Sequence, residues 1–173
     1  MDKPLWDLKR LDSGDRSLLK RSIGRSLGED LRAAEAFYRA LGHVPKSKDQ
    51  EEQLFFCLCM ECLWKTEDNP RVLPFEEMLR RLYYDENSTD SMKRRIISAL
   101  DIPWSNDGFL QGKMAGFVKK MRNTDGSLMP DFFALAEDLM RWNNSEHSVQ
   151  RRWIQVVCRT RQNEEENKER EEE

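Results

Sequence analysis

Three cysteines, Cys57, Cys59 and Cys62, stand close together near the middle of the chain. Thiolates at such spacings could hold zinc or an iron–sulfur cluster, but a structural zinc site typically needs four ligands, with a second pair elsewhere in the chain. Here no second pair exists, because Cys158 is the only other cysteine. On a helix Cys59 and Cys62 share a face, whereas Cys57 points away from it. The pattern therefore favours buried structural thiols over a metal site.

Nucleophilic and phosphate-loop chemistry has no recognisable motif in this sequence. The two histidines, His43 and His147, lie among loop and helix-capping residues, and no cysteine, serine or carboxylate pairs with either one as nucleophile and base. The chain also has neither a glycine-rich phosphate loop nor a dinucleotide fingerprint. We therefore expect a protein that is not an enzyme and that uses no cofactor and no metal.

The lysines and arginines are the residues whose spacing suggests binding, and the chemistry would be contact with phosphates. Lys20 follows Arg16 by four residues, and Arg25 follows Arg21 at the same spacing. Like charges so placed lie side by side on a helix and weaken it, and an anionic partner would relieve the repulsion. The alternative is a solvated helix face without any partner. Further cations that lie off the apolar stripe of a predicted helix are Arg94, Arg95, Lys119, Lys120 and Arg152.

The element that must position these cations is a helix predicted over residues 51–64. From Leu54 to Trp64 the only charged residue is Glu61, so a helix here is apolar on nearly every face. Such a helix sits in the middle of a core. Ser47 or Asp49 provides its N-cap. We predict that the other helices pack around this one.

Apolar residues recur at helical spacing in seven further segments, so we predict an all-α bundle of about eight helices. The seven segments are 15–23, 29–41, 74–84, 91–100, 109–122, 127–142 and one that begins near Ser145. Gly42 ends the 29–41 helix as a C′ residue. In the 109–122 helix, Gly112 and Gly116 leave bare backbone beside lysines, which permits close approach by a phosphate backbone or by another helix.

Length and composition indicate one domain with heavily solvated outer faces. The chain has 173 residues, of which 35% are charged and 38% hydrophobic. The net charge of −3 includes a segment after Gln162 that contains seven glutamates. Without this segment the chain has 27 lysines and arginines and 25 aspartates and glutamates. We expect a helical domain over residues 1–162 and a disordered acidic tail over 163–173. The first residues lack a signal-peptide layout and no apolar run is long enough to span a membrane, which predicts a cytoplasmic protein.

Six short segments, in this order and spacing, resemble one family. They are Leu11-Asp12-Ser13-Gly14 with Lys20-Arg21, Ala36-Phe37-Tyr38-Arg39, Phe56-Cys57-Leu58, Arg94-Arg95-Ile96, Val118-Lys119-Lys120-Met121 and Leu139-Met140-Arg141-Trp142. The chain resembles CasB, the small subunit of the type I-E CRISPR surveillance complex Cascade, over nearly its whole length up to about Gln162. The acidic tail and the cysteine-rich central helix depart from the family's pattern.

The resemblance implies an all-α, non-catalytic subunit that is present in two copies in the complex. It implies contacts with the other Cascade subunits, with guide RNA and with target DNA, whose displaced strand is held on a basic surface. Six cations match basic positions of the family, and the charge pattern adds Arg25 and Arg152. The predicted nucleic-acid-binding set is therefore Lys20, Arg21, Arg25, Arg94, Arg95, Lys119, Lys120 and Arg152. The competing interpretation is a helical scaffold whose arginine rows bind acidic protein surfaces.

Elemental analysis of protein purified without chelator tests the assignment of the cysteines. We expect no stoichiometric zinc or iron, because the cluster on the central helix lacks a complete set of ligands. One bound metal ion per chain would contradict the assignment.

Overall fold

The computed structural model of the chain describes residues 3–65 and 69–159, and within them it confirms the all-α prediction. The eight helices are α1 (Ser13–Arg21), α2 (Leu31–Ala40), α3 (Lys48–Glu61), α4 (Phe75–Tyr83), α5 (Asp90–Leu100), α6 (Phe109–Thr124), α7 (Phe132–Met140) and α8 (Ser148–Val157). Short 3-10 helices cover Leu8–Arg10 and Leu27–Glu29. None of the described helices is long and apolar enough to cross a membrane. The predicted acidic tail, 163–173, lies outside the described residues.

Helix α3 is the centre of the core, as predicted, although it begins and ends about three residues earlier than expected. The Ser47 side chain accepts a hydrogen bond from the backbone N–H of Gln50, and Asp49 and Glu51 lie in the first turn, where the helix dipole favours carboxylates. Every residue from 52 to 60 is buried. α3 packs against α1, α6 and α7, so its apolar surface is covered on several sides.

Three polar side chains of α3 each bond a different part of the chain. The carboxylate of Glu52 accepts hydrogen bonds from Ser26 Oγ at 2.7 Å and from the backbone N–H of Leu27 at 3.1 Å. Gln53 donates to the carbonyl of Leu139, on α7, at 3.0 Å. Glu61 accepts a hydrogen bond from the indole N–H of Trp6. These bonds fix the N-terminal segment, the second 3-10 helix and α7 relative to the central helix.

A small parallel sheet corrects the prediction of one continuous helix over 127–142. Strand β1 (Arg71–Leu73) pairs with β2 (Leu128–Pro130), with Val72 opposite Met129. Pro130 disfavours a helical conformation of the residue before it, which keeps this segment extended. α7 starts only after Asp131, whose side chain accepts from the N–H of Ala134 at 3.0 Å. The two strands bring the starts of α4 and α7 together.

Gly42 follows the end of α2 as predicted, but its role is close packing rather than a left-handed turn. The glycines with positive φ in the described chain are Gly24 and Gly108. Gly42 donates its N–H to the carbonyl of Leu5 at 3.0 Å, and a Cβ added to it would lie 2.0 Å from the carbonyl oxygen of Pro4. Only a residue without a side chain lets the N-terminal segment lie this close to the end of α2.

Two glycine-to-alanine variants should therefore have opposite effects on stability. Gly42→Ala should lower the free energy of unfolding by about 1–3 kcal/mol, because the N-terminal segment must shift. Gly116→Ala should raise it by up to about 1 kcal/mol, because nothing lies within 4 Å of the added methyl and alanine favours the helix. Chemical denaturation of both variants measures the difference. Equal stability of the two proteins would contradict this account of Gly42.

Candidate nucleic-acid interface

The predicted cations of α1 lie in its last turn, on the side that faces away from the core. Leu19 is the buried residue of this helix, whereas Lys20 and Arg21 are exposed. Cations at a helix C-terminus are favoured by the helix dipole, which offsets their mutual repulsion. Arg25 is exposed in the turn that follows, next to Gly24 with its φ of 81°.

The predicted cations of α5 are also exposed, although they lie in the middle of the helix and not in its last turn. Thr89 caps the helix by accepting from the N–H of Met92 at 3.1 Å. Ile96 and Leu100 are buried in the core, and this rotation of the helix leaves Arg94 and Arg95 exposed.

Helix α6 presents Lys119 and Lys120 to solvent, and it contains no aspartate or glutamate. Its buried side is apolar, with Leu110, Met114, Ala115, Phe117, Val118 and Met121. Gly112 and Gly116 are exposed on the opposite side, and a Cβ at either position would meet no described atom within 4 Å. Packing within the described chain therefore does not explain the two glycines.

Helix α6 contacts two other parts of the chain that carry predicted cations, namely α5 and the turn after α1. α6 packs against α5. The turn after α1 reaches the first residues of α6, where a Cβ on Gly108 would lie 3.6 Å from the carbonyl oxygen of Gly24. Lys119 follows Gly108 by eleven residues, which corresponds to about 16 Å along the helix axis. The start of α6 beside Gly24 and the cations near the end of α6 are therefore well separated along the helix.

Seven of the eight predicted cations make no hydrogen bond or ion pair through their side chains with any described residue. These seven are Lys20, Arg21, Arg25, Arg94, Arg95, Lys119 and Lys120. Arg39, on α2, shows the contrast, because its guanidinium lies 2.7 Å from both Asp15 and Glu35. The seven charges are thus available for an external anion.

Arg152, the eighth predicted cation, is paired with carboxylates of this chain, although its own side chain is 46% exposed. Its guanidinium bonds the carboxylate of Asp138 and lies 3.6 Å from Glu76. Asp138 is only 4% exposed and also accepts a hydrogen bond from the indole N–H of Trp153 at 3.0 Å. Burial raises the pKa of Glu76, and the positive charge of Arg152 opposes that shift. The role of Arg152 in binding stays a prediction, while its contact with a buried carboxylate gives it a structural role.

The sequence reasoning missed a regularity that these helices share. A small residue precedes each pair of adjacent cations by one helical turn: Ser17 before Lys20-Arg21, Ser91 before Arg94-Arg95, and Gly116 before Lys119-Lys120. Residues three and four apart are neighbours on a helix surface, so each small residue lies beside its pair. All three small residues are exposed. The repeated pattern leaves open space next to the charges and can be read from the sequence.

The three clustered cysteines are buried, as the sequence predicted. Burial raises the pKa of the Cys62 thiol to about 12 and the pKa of Cys57 and Cys59 well above the ordinary range. The thiols are therefore protonated at neutral pH. In residues 3–65 and 69–159, no three or more histidines, cysteines or carboxylates are grouped so that they could hold a metal ion.

Replacing two adjacent arginines separately distinguishes the structural cation from a free one. Arg152→Ala should lower the free energy of unfolding by about 1–3 kcal/mol, because the buried Asp138 loses a charged partner. Arg151→Ala is the matched control; the neighbouring exposed arginine has no described partner, and its loss should change stability by less than about 0.5 kcal/mol. Denaturant unfolding measures both, and equal effects would contradict a structural role for Arg152.

Comparisons with known proteins agree with this architecture. A chain of a structure described as a CRISPR RNA-guided surveillance complex superposes with a TM-score of 0.67 at 19% identity, covering 91% of this chain and 88% of that one. The crystal structure of M. ruber CasB gives a TM-score of 0.70 at 17% identity, covering 91% of each chain. A CRISPR-associated protein of the Cse2 family from Thermus thermophilus gives 0.63 at 20% identity, covering 87% of this chain and 90% of that one. At these identities the likeness shows a shared fold.

Family membership rests on the sequence. A search of curated proteins finds no match. The profile of the family described as CRISPR-associated protein Cse2 matches residues 15–156, which is most of the chain. The resemblance to CasB is thereby confirmed, and the chain belongs to the CRISPR-associated Cse2 family.

Proposed function

We propose that this chain is a non-catalytic subunit of a CRISPR surveillance complex of the Cascade type, acting in the cytoplasm. In this role it binds nucleic acid largely without sequence preference. It stabilises the opened target by holding the displaced DNA strand on a basic surface after guide RNA has paired with the target strand. Its partners are the other Cascade subunits, guide RNA and target DNA, and a second copy of itself. Membership of the Cse2 family and the match to a chain of a surveillance complex support the proposal.

The observation that carries the proposal is the set of seven cations without described partners on α1, the turn after it, α5 and α6. A sequence-independent hold on a single strand requires cations that follow the phosphates, and it requires no hydrogen-bond code for base edges. The displaced strand would otherwise re-anneal with its complement. Cations that neutralise its phosphates delay that step.

A second candidate is a helical scaffold whose lysine and arginine rows bind acidic protein surfaces. The exposed small residue beside each pair of cations allows close approach by either partner. The pairing of Arg39 and Arg152 with carboxylates shows that arginines of this chain can bind acidic side chains. Direct titration with single-stranded DNA separates the two functions, because a protein scaffold would not bind the strand.

Replacing Arg94 and Arg95 together tests the proposed surface. Arg94→Ala with Arg95→Ala should weaken binding to single strands of any sequence to a similar extent. The log–log dependence of affinity on salt should become shallower by about 0.7 for each phosphate that the variant no longer neutralises. In the reconstituted complex the double variant should leave guide pairing intact and shorten the lifetime of the opened duplex. Stability should change by less than about 0.5 kcal/mol per residue, because both side chains are exposed.

The matched control removes two charges from another exposed part of the chain. Lys46→Ala with Lys48→Ala changes the net charge equally, at the loop before α3 and at the first residue of that helix, outside the predicted set. This control should keep the native salt dependence and the native lifetime. A fully assembled complex in which the Arg94/Arg95 variant also keeps both would contradict the assignment of α5 to the strand-binding surface.

A further inference from the structure

An open cleft of about 540 Å³ lies between the C-terminal half of α4 and the end of α6. Its apolar part is formed by Met78 and Leu82 of α4, by Met121 of α6 and by Leu128 of β2, all of which are buried. Tyr84, the residue that follows α4, lines the same cleft and is 45% exposed. A volume of this size falls in the range of about 300–1,000 Å³ that is typical of small-molecule sites and exceeds what one nucleobase needs.

One cation and a second aromatic ring contact the ring of Tyr84. The Arg80 guanidinium lies 5.6 Å from the centre of the Tyr84 ring, and its Nε donates to the carbonyl of Arg159 at 3.2 Å. Tyr83 contacts Tyr84 edge to face at 5.0 Å. Lys93 Nζ lies 5.4 Å from the centre of the Tyr83 ring. Arg80 and Tyr83 thus contact the Tyr84 ring, and part of that ring stays open to solvent. Lys93, which contacts Tyr83, directly precedes Arg94 and Arg95 in α5.

The charges around the cleft indicate which part of a nucleotide it would accept. Glu77, Asp85 and Asp125 also line it, together with Arg81. Hydrogen bonds from Ser127 lower the pKa of Asp125, so this carboxyl is ionised at neutral pH. Carboxylates repel a phosphate, but they accept hydrogen bonds from N–H groups, and every base carries at least one such group. An apolar floor, an exposed aromatic ring and carboxylates at the edge therefore suit a base and not a phosphate.

We infer that the Tyr84 cleft receives one unstacked base of the single strand whose phosphates contact Arg94 and Arg95. The inference rests on the proposed function and adds a second kind of contact to it. Stacking on an aromatic ring is tolerant of sequence because every base has a flat face. The cations of α5 would hold the backbone, and Tyr84 would hold a base of the same strand.

The test compares a labelled oligothymidine strand with an abasic strand of equal length, titrated into the full-length protein at low salt. The native protein should prefer the thymidine strand. Tyr84→Ala should weaken binding to that strand by between about fivefold and about 150-fold and should bind the abasic strand as the native protein does. Tyr84→Phe, which keeps the ring, should behave as the native protein. The salt dependence should not change in Tyr84→Ala, because the tyrosine neutralises no phosphate.

Tyr38→Ala is the matched control, because Tyr38 is a half-exposed tyrosine on another helix, α2, where its hydroxyl donates to Glu51. It should leave the affinity for both strands unchanged.

Native affinity of Tyr84→Ala for the thymidine strand would overturn the stacking site and leave the proposed function standing. An equal loss on both strands would also overturn it, because stacking requires bases. If Tyr84→Ala binds DNA normally but dissociates from the assembled complex, the cleft is a protein contact and the inference fails. If the native protein binds neither strand, the proposed function fails as well.

Discussion

The burial of α3 on all sides is the constraint on which the rest of the structure depends. A helix with an apolar surface all round gains stability only when other elements cover every face. Its buried polar groups add a second condition, because each one must find a hydrogen-bond partner. Glu52 and Gln53 meet this condition by bonding a 3-10 helix and α7. Helix α3 therefore fixes the positions of the elements that pack against it.

Because the helices pack their apolar sides around α3, charged residues occupy the outer faces of the bundle. α1, α5 and α6 each turn one side toward the core and present adjacent cations on the other. Two arginines, Arg39 and Arg152, are paired with carboxylates of this chain. Where an arginine has no described partner, as at Arg94 and Arg95, the fold has no evident use for the charge. This difference separates structural cations from those proposed to bind a strand.

The two proposed kinds of contact follow different physical rules. Contacts between cations and phosphates depend on salt and are indifferent to the bases. Stacking on Tyr84 would depend on the bases and hardly on salt. Together they would hold a strand of any sequence, since neither contact requires a particular base. α4 and α5 supply both, because Lys93 on α5 contacts Tyr83, the neighbour of Tyr84.

The sequence by itself determined the all-α fold class, the buried central helix α3 and the exposure of Arg94, Arg95, Lys119 and Lys120. These features depend on local patterns: an uninterrupted apolar run, or a cation that lies off an apolar stripe. Only the tertiary structure decided the pairing of β2 with β1, the close approach at Gly42, the pairing of Arg152 and the cleft at Tyr84. Each of these depends on residues distant in sequence, such as Pro4 beside Gly42 or Asp138 beside Arg152. A local pattern carries no information about such pairs, because the folding of the whole chain brings them together.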